Sequence, residues 1–487
     1  MNIAVIGAGI AGIAAAIRLA IKGHKVEIFE ANAYAGGKLS QIQLGAYRFD
    51  AGPSLFTMPH FVTELFSLAG KNPNDYFQYK PLEIVCNYFW DDNTRLSAWA
   101  NTEKYAQEVE EKLNIPKAKL KAALEKAQAK YKATAPLFLE KSLHDWRTYL
   151  SKDLFKALLA IPNLDLFTSM HEVNKKLFNG HEKMTQLFDR YATYNGSNPY
   201  QATGILTMIP HLEQNIGAFF PIGGMYAITE SLVRLAKELG IKIHLNAAVE
   251  SILLENNKAK AINVKGENLY FERIVCNMDV NFAYDKLLKK EQKPNSLSKE
   301  EKSSSALIFY WGINRKFEAL DVHNIFFAQD YEKEFKTIFE EKTLGDDLTI
   351  YVHISAKVEE NDAPSHGENW FVMVNAPALA EGQDWEALIA KTRKHILKKL
   401  SKHLQTDIAQ HIVVEDILTP ALIQSKTASH LGALYGSSSN NRMAAFLRHR
   451  NYNAGIENLY FCGGSTHPGG GIPLCLLSGK IVAENLK

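Results

Sequence analysis

The chain opens on a short apolar run that breaks into glycines and at once resumes as an alanine-rich helix: Asn2-Ile3-Ala4-Val5-Ile6, then Gly7-Ala8-Gly9-Ile10-Ala11-Gly12. Few folds accept that order. Five apolar residues read as a buried parallel strand. Gly7 permits the tight strand-to-helix turn, Gly9 lets backbone approach a pyrophosphate, and Gly12 lets helix and strand pack closely. The helix then offers unpaired N–H groups and a positive dipole end to that pyrophosphate. Alone, such a glycine triplet also recurs as a structural turn. Here the next strand, Lys25 to Phe29, runs into Glu30, 18 residues after Gly12. A carboxylate at that point accepts hydrogen bonds from ribose hydroxyls and repels a 2′-phosphate. The pattern predicts a Rossmann-like α/β domain holding a dinucleotide.

Composition removes several other classes. The 487 residues carry 55 Lys and Arg against 53 acidic residues, a formal charge of +2. That balance disfavours a nucleic-acid binder and an acidic solvating protein. Cys86, Cys276, Cys462 and Cys475 form no CxxC pair, which argues against a zinc ribbon or a disulfide scaffold and fits a reducing compartment. Neither HxxxH nor HExxH occurs, so no metal is expected. No basic leader precedes the first strand, and no run of about 18 uncharged apolar residues follows. The chain is expected to be soluble or to lie on a membrane, not to cross one.

Two domains are expected, their segments alternating along the chain. The dinucleotide domain takes 1–70, 220–300 and 425–487, and an α+β substrate domain takes 71–219 and 301–424, with 101–190 as a helical insert. In that insert, Lys117 to Lys132 sets Leu120, Leu124, Ala127 and Tyr131 on one helical face among six lysines. A solvated face is the plain reading; attachment to a membrane surface is the alternative. The apolar stretch from Leu154 to Met170 fits that attachment or buried core. A second α/β unit runs from Phe220 through a helix, a cap at Gly240 and the strand from Ile241. Residues 305–313, 348–354 and 370–374 read as strands of a separate sheet, 385–404 as a helix, and Gly436 to Asn441 as a loop. The pentad ENLYF occurs at 267–271 and 457–461; each copy fits a short strand, and the repetition is treated as chance.

Gly36-Gly37-Lys38, close behind Glu30, and Arg48-Phe49-Asp50-Ala51-Gly52-Pro53-Ser54 resemble the flavin-containing amine oxidase and carotenoid desaturase superfamily. Three further stretches are similar to its bacterial and fungal phytoene desaturase type. They are Phe220-Pro221-Ile222-Gly223-Gly224-Met225, Tyr194 to Tyr200, and the closing run Gly463-Gly464-Ser465-Thr466-His467-Pro468-Gly469-Gly470-Gly471-Ile472-Pro473. The resemblance implies FAD, bound by Gly7, Ala8, Gly9, Ile10, Ala11, Gly12, Glu30, Ala31, Gly37, Lys38, Leu39, Gly52, Pro53, Ser54, Val249, Gly463, Gly464, Gly471, Ile472 and Pro473. Backbone of the closing glycines can lie against a flat ring, and the helix after them can stabilise negative charge on reduced flavin. Lys38 stands where many relatives carry Arg, which removes a bidentate contact. An Arg-Asp pair proposed as acid/base machinery in some relatives falls on Phe155-Lys156, neither a carboxylate. The catalytic acid and base are therefore left unassigned; His467, in the closing run, is a candidate base set against a structural turn residue.

The implied activity is oxidation of a carotenoid, with a hydride passing to flavin and a proton leaving the neighbouring carbon. The finer expectation is a 3,4 double bond in a hydroxylated carotenoid. Alternatives are a redox-neutral carotenoid isomerase, a prenyl-binding escort protein of the GDP dissociation inhibitor kind without flavin chemistry, and an amine oxidase. FAD is expected to be non-covalent. Cys462, Cys475 and His467 are the side chains that would make a covalent link. The electron acceptor, quinone or oxygen, stays open. The expected place is the cytoplasmic face of a membrane, peripherally attached.

Overall fold

A computed structural model describes residues 1–142, 144, 145, 148, 150, 154, 157, 159–441 and 448–486. The opening run is the central strand, Asn2–Ile6, of a five-stranded parallel sheet. Its order is Leu459–Phe461, Arg273–Cys276, Asn2–Ile6, Lys25–Phe29 and Lys242–His244. Both faces are covered, as an all-parallel sheet requires. Ile3, Val5 and Ile28 pack under the helix Ile10–Ile21, while Ala4, Ile6 and Phe29 meet Ile252 and Ile262 from a small antiparallel sheet. The last helix, Ile472–Asn485, lies against Ile10–Ile21 so closely that a Cβ on Gly479 would sit 2.8 Å from the Ala11 carbonyl oxygen. The two ENLYF copies enter different sheets, one as Glu267–Tyr270 and the other within Leu459–Phe461.

A seven-stranded sheet forms the second layer. Its order is Ile412–Leu418, Ser305–Ile313, Glu368–Ala376, Ile350–Ile354, His323–Phe326, Ile84–Phe89 and Arg95–Trp99. All neighbours are antiparallel except His323–Phe326 against Ile84–Phe89. Alternation along each strand gives the two faces different chemistry. One face is apolar: Phe309, Trp311, Phe326, Val352, Trp370 and Val372 pack with Ile396 and Leu400 of the helix Trp385–Leu404. The register places His323 opposite His353 and Ile325 opposite Tyr351. That face also carries Tyr88, paired with Ile325.

Helices of the insert close over this polar face. Thr102–Leu113 and Lys117–Phe138 bury Tyr105, Val109, Leu120, Leu124 and Ala127. Lys130 departs from the solvated row of lysines. It is buried, donates to Thr207 Oγ1 at 2.7 Å and the Gly204 carbonyl at 3.2 Å, and pairs with Asp165. Gly436–Asn441 is a loop, with Ser437, Ser438 and Ser439 buried. The hydroxyls of Ser437 and Ser438 donate to Glu300 and Glu301, which makes burial of a polar loop tolerable. Among the described residues, no helix is long and apolar enough to cross a membrane.

Candidate active site

Three loops of the parallel sheet converge at the carboxyl ends of its strands. At the first, Gly7 has φ +95°, the left-handed region that glycine enters freely. A Cβ on Gly12 would stand 2.4 Å from the Gly7 carbonyl oxygen, and one on Gly9 2.6 Å from Asn277 Oδ1. Close approach, not turn geometry alone, thus excludes side chains here. Gly9 caps Ile10–Ile21 with no side-chain hydrogen bond, so the first-turn N–H groups face outward without a side-chain partner. The closing helix repeats the device: its N-cap is Gly471, also without a side-chain bond, and a Cβ there would meet open space. The helix Tyr226–Glu238 differs. Asp50 accepts from the backbone N–H groups of Met225 and Tyr226 at 2.9 and 3.2 Å, while Arg48 ties Asp50 to Asp362. Arg48 and Asp50 therefore join the two layers, and their charges are spent on each other.

Glu30 is buried and braced. One carboxylate oxygen accepts from Ala8 N and the other from Asn32 N, both at 2.8 Å. Each oxygen keeps a further lone pair for a ribose hydroxyl. Ala31 follows it at the surface, and Val249 opens the strand Val249–Glu255 and pairs with Val264. Gly36 bridges to Gly9, and a Cβ on Gly52 would lie 2.0 Å from the Lys38 carbonyl oxygen, so the second loop is pressed onto the first and the Gly52 loop onto the second. Lys38 Nζ donates to the Leu434 carbonyl at 2.7 Å, and burial holds its pKa below the ordinary lysine value. Among the described residues it has no ion-pair partner within 4.0 Å.

Lys38, Cys475, Tyr435 and Tyr351 each keep part of their surface accessible. Lys38 meets the Gly52 loop, and Ser54 of that loop bonds Tyr351 at 2.9 Å, so the cavity beside the glycine loops adjoins the polar face of the second sheet. Two uncapped helix ends, a braced carboxylate and glycines without room for side chains fit a dinucleotide that carries a flat ring.

The closing run joins this cavity to the insert. His467 is 2% exposed. Its Nε2 lies 2.8 Å from the Lys141 carbonyl, and burial pushes its pKa down to about 4. The ring is thus neutral and donates from Nε2, which leaves its lone pair on Nδ1. Burial also keeps the Cys462 thiol protonated and raises Cys475 to about 11, so neither is a ready thiolate for a covalent link. Phe155-Lys156 lie outside the described residues.

Several residues at the site carried no recognised motif. Asn277 ends the strand Arg273–Cys276, meets Gly9, Gly12 and Gly463, and donates to the Cys462 carbonyl at 3.0 Å. Ser478, one turn and a half into the closing helix, accepts from Gly463 N at 3.1 Å and donates to the His467 carbonyl at 3.0 Å. Arg448 donates to the carbonyls of Tyr435, Ser437 and Gly464 at 2.6, 3.0 and 3.2 Å. The only sequence signal for Asn277 is its place just after a short apolar strand.

The model of the family described as flavin containing amine oxidoreductase matches residues 10–487. The chain belongs to that family. Its members' cofactor is the one the cavity fits, and the chain is an FAD-dependent oxidoreductase. It is 48% identical over 480 residues to a 1-hydroxycarotenoid 3,4-desaturase of Flavobacterium sp., covering 99% of this chain and 98% of that one. It is 31% identical over 492 residues to a 4,4′-diapolycopene oxygenase of Methylomonas sp., covering 100% and 98%. In fold it is similar to an oxidoreductase from Methanosarcina mazei, with a TM-score of 0.64, 14% identity and complete coverage of both chains.

Proposed function

We propose that this flavoenzyme desaturates a hydroxylated acyclic carotenoid, placing a new conjugated double bond at the 3,4 position. The observation that carries this reading is the full-length 48% identity to a desaturase of that specificity, joined to a cavity that connects the flavin loops to an aromatic sheet face. Bound FAD would supply the two-electron acceptor for a hydride leaving an allylic carbon. Gly7 to Gly12 and Glu30 would hold its pyrophosphate and ribose, Val249 its adenine, and Gly463, Gly464 and Gly471 to Pro473 its ring. The N-terminus of Ile472–Asn485 would favour the negative charge that develops there. A polyene offers few polar handles, so the walls must position it, and positioning is a large part of the rate.

We assign residues 1–70, 220–300 and 425–487 to the cofactor domain and 71–219 and 301–424 to the substrate domain. The five parallel strands all fall in the first set, and the seven of the other sheet in the second. Peripheral membrane contact, on the cytoplasmic face, would come through the insert. Leu150, Leu159, Ile161 and Phe167 expose 76%, 66%, 41% and 76% of their surface there, the kind of apolar patch that a lipid interface covers. The deciding experiment supplies purified, FAD-loaded protein with a 1-hydroxy acyclic carotenoid in liposomes and an electron acceptor. Product lighter by two hydrogens, with a red-shifted spectrum, is expected. An isomer of unchanged mass would replace the reading with a redox-neutral one.

A further inference from the structure

The cavity face of the second sheet holds one hydrogen-bonded chain that ends at the cavity. Ser54 Oγ lies 2.9 Å from Tyr351 Oη, which lies 2.7 Å from His323 Nδ1. We propose that Ser54, Tyr351 and His323 form the subsite that receives the substrate's hydroxyl group beside the bond being desaturated. This rests on the desaturase reading above and adds to it the residues that choose the substrate.

Substrate chemistry sets where such a subsite must be. In a 1-hydroxycarotenoid, the oxygen is three single bonds from C3. Whatever binds it must stand beside the reacting carbons, and so beside the flavin. Ser54 is on the Gly52-Pro53-Ser54 loop that is pressed against Lys38, the loop that would flank bound FAD. Tyr351 reaches it from the sheet, because the register that sets Ile325 opposite Tyr351 turns both toward the cavity.

The electrostatics leave this chain incomplete. Burial holds the His323 imidazole neutral, with one N–H and one lone pair. Its Nε2 is buried without a partner, so Nδ1 alone connects it to Tyr351. Whichever way the hydroxyl protons run, the chain ends at Ser54 with one donor or acceptor unmatched, and at its other end on the unpartnered His323 Nε2. An alcohol can serve as either, whereas a hydrocarbon end leaves it unpaired in a dry cavity. The neighbouring polar group is already closed. Glu213 accepts from Arg190 and Tyr194, from Tyr191 at 3.0 Å and from Gln214 at 3.2 Å. Three of these bonds fill Oε1, and Oε2 is held by Tyr194.

The test compares kcat/KM for a 1-hydroxy acyclic carotenoid with that for the same polyene lacking the hydroxyl, in FAD-loaded protein. Dissociation constants for both polyenes, from quenching of flavin fluorescence, are measured alongside. Tyr351→Phe keeps the ring and removes the oxygen; Ser54→Ala removes the other hydroxyl. Each is expected to lower the preference for the hydroxylated polyene about tenfold, the worth of one neutral hydrogen bond, in KM more than in kcat and with the same change in the binding ratio. Equal losses on both polyenes would make the chain structural and overturn the proposal. Wild-type protein that desaturates both equally well would also overturn it while leaving the desaturase reading intact. Wild-type protein that desaturates and binds neither would remove that reading, and the subsite with it.

Discussion

The two ends of the cavity keep polar groups in the interior by opposite means. At the cofactor end much of the polar surface is backbone: glycine loops and two helix N-termini without side-chain caps, beside the Glu30 carboxylate. At the substrate end it is side chains paired with each other, above all Arg190 with Glu213 and Tyr88, and Glu213 with Tyr191 and Tyr194. A site made of backbone fails when a side chain is added. A site made of paired side chains fails when one member is removed.

The largest effect separates the two ends outright. Gly12→Val adds atoms where even a Cβ would lie 2.4 Å from the Gly7 carbonyl, and should abolish flavin retention, measured as flavin per polypeptide after gel filtration. Normal flavin content would show that the helix and strand can part without harm. At the other end, Glu213→Leu leaves the Arg190 guanidinium buried without its carboxylate, and should cost about 3–5 kcal/mol in denaturant unfolding. The double variant with Arg190→Met should recover most of that loss, whereas an additive loss would show that the pair acts through packing alone. Glu30→Ala should weaken FAD binding on the order of 100-fold, because charge-assisted bonds to ribose and to the Ala8 loop vanish together. Unchanged affinity at limiting FAD would remove its ribose role.

Smaller effects concern the buried histidines. Burial lowers His353, at the substrate end, and His467, at the cofactor end, to about 4 from the ordinary histidine value of 6.5. Below pH 6.5 the unfolded chain binds protons that the folded chain refuses. Stability present above that pH is therefore lost as pH falls toward 4, by about 1 kcal/mol per histidine at pH 6. His467→Asn should flatten the stability profile over that window, read by denaturant midpoints at pH 7.5 and 6. A profile as steep as wild type would mean that its ring titrates normally. With flavin content preserved, His467→Ala should lower turnover less than about tenfold; a loss on the order of 10³-fold would restore it as a base.

The same contrast decides what could be read before the structure. Glycines demanded by close approach leave a spacing, so Gly7, Gly9, Gly12 and the strand ending at Glu30 were legible, as were the strands at 305–313 and 350–354 and the helix at 385–404. Groups that find partners across the fold leave none. Arg190 and Tyr88 are 102 positions apart, and nothing local in either marks the bond. Lys130 looked like its exposed neighbours on the helix, since only Asp165 and Thr207, brought up by tertiary packing, turn it inward. The 436–441 loop was legible as a loop, but not the burial of its serines, whose acceptors Glu300 and Glu301 lie more than a hundred residues away.

The strand order of the parallel sheet has a consequence for how the chain matures. Asn2–Ile6 is made first, yet Arg273–Cys276 must lie beside it before Leu459–Phe461 can join, and Ile472–Asn485 packs on Ile10–Ile21 last of all. At about 5–20 residues per second, the opening βα unit waits tens of seconds on the ribosome for its final neighbours. Such long-range closure is slow even in a released chain. The closing run proposed to hold the ring is made about 450 residues after the opening glycine loop, so the two can face one flavin only once that length of chain exists. Whatever shields the waiting apolar strands meanwhile bears on the fraction of chains that fold.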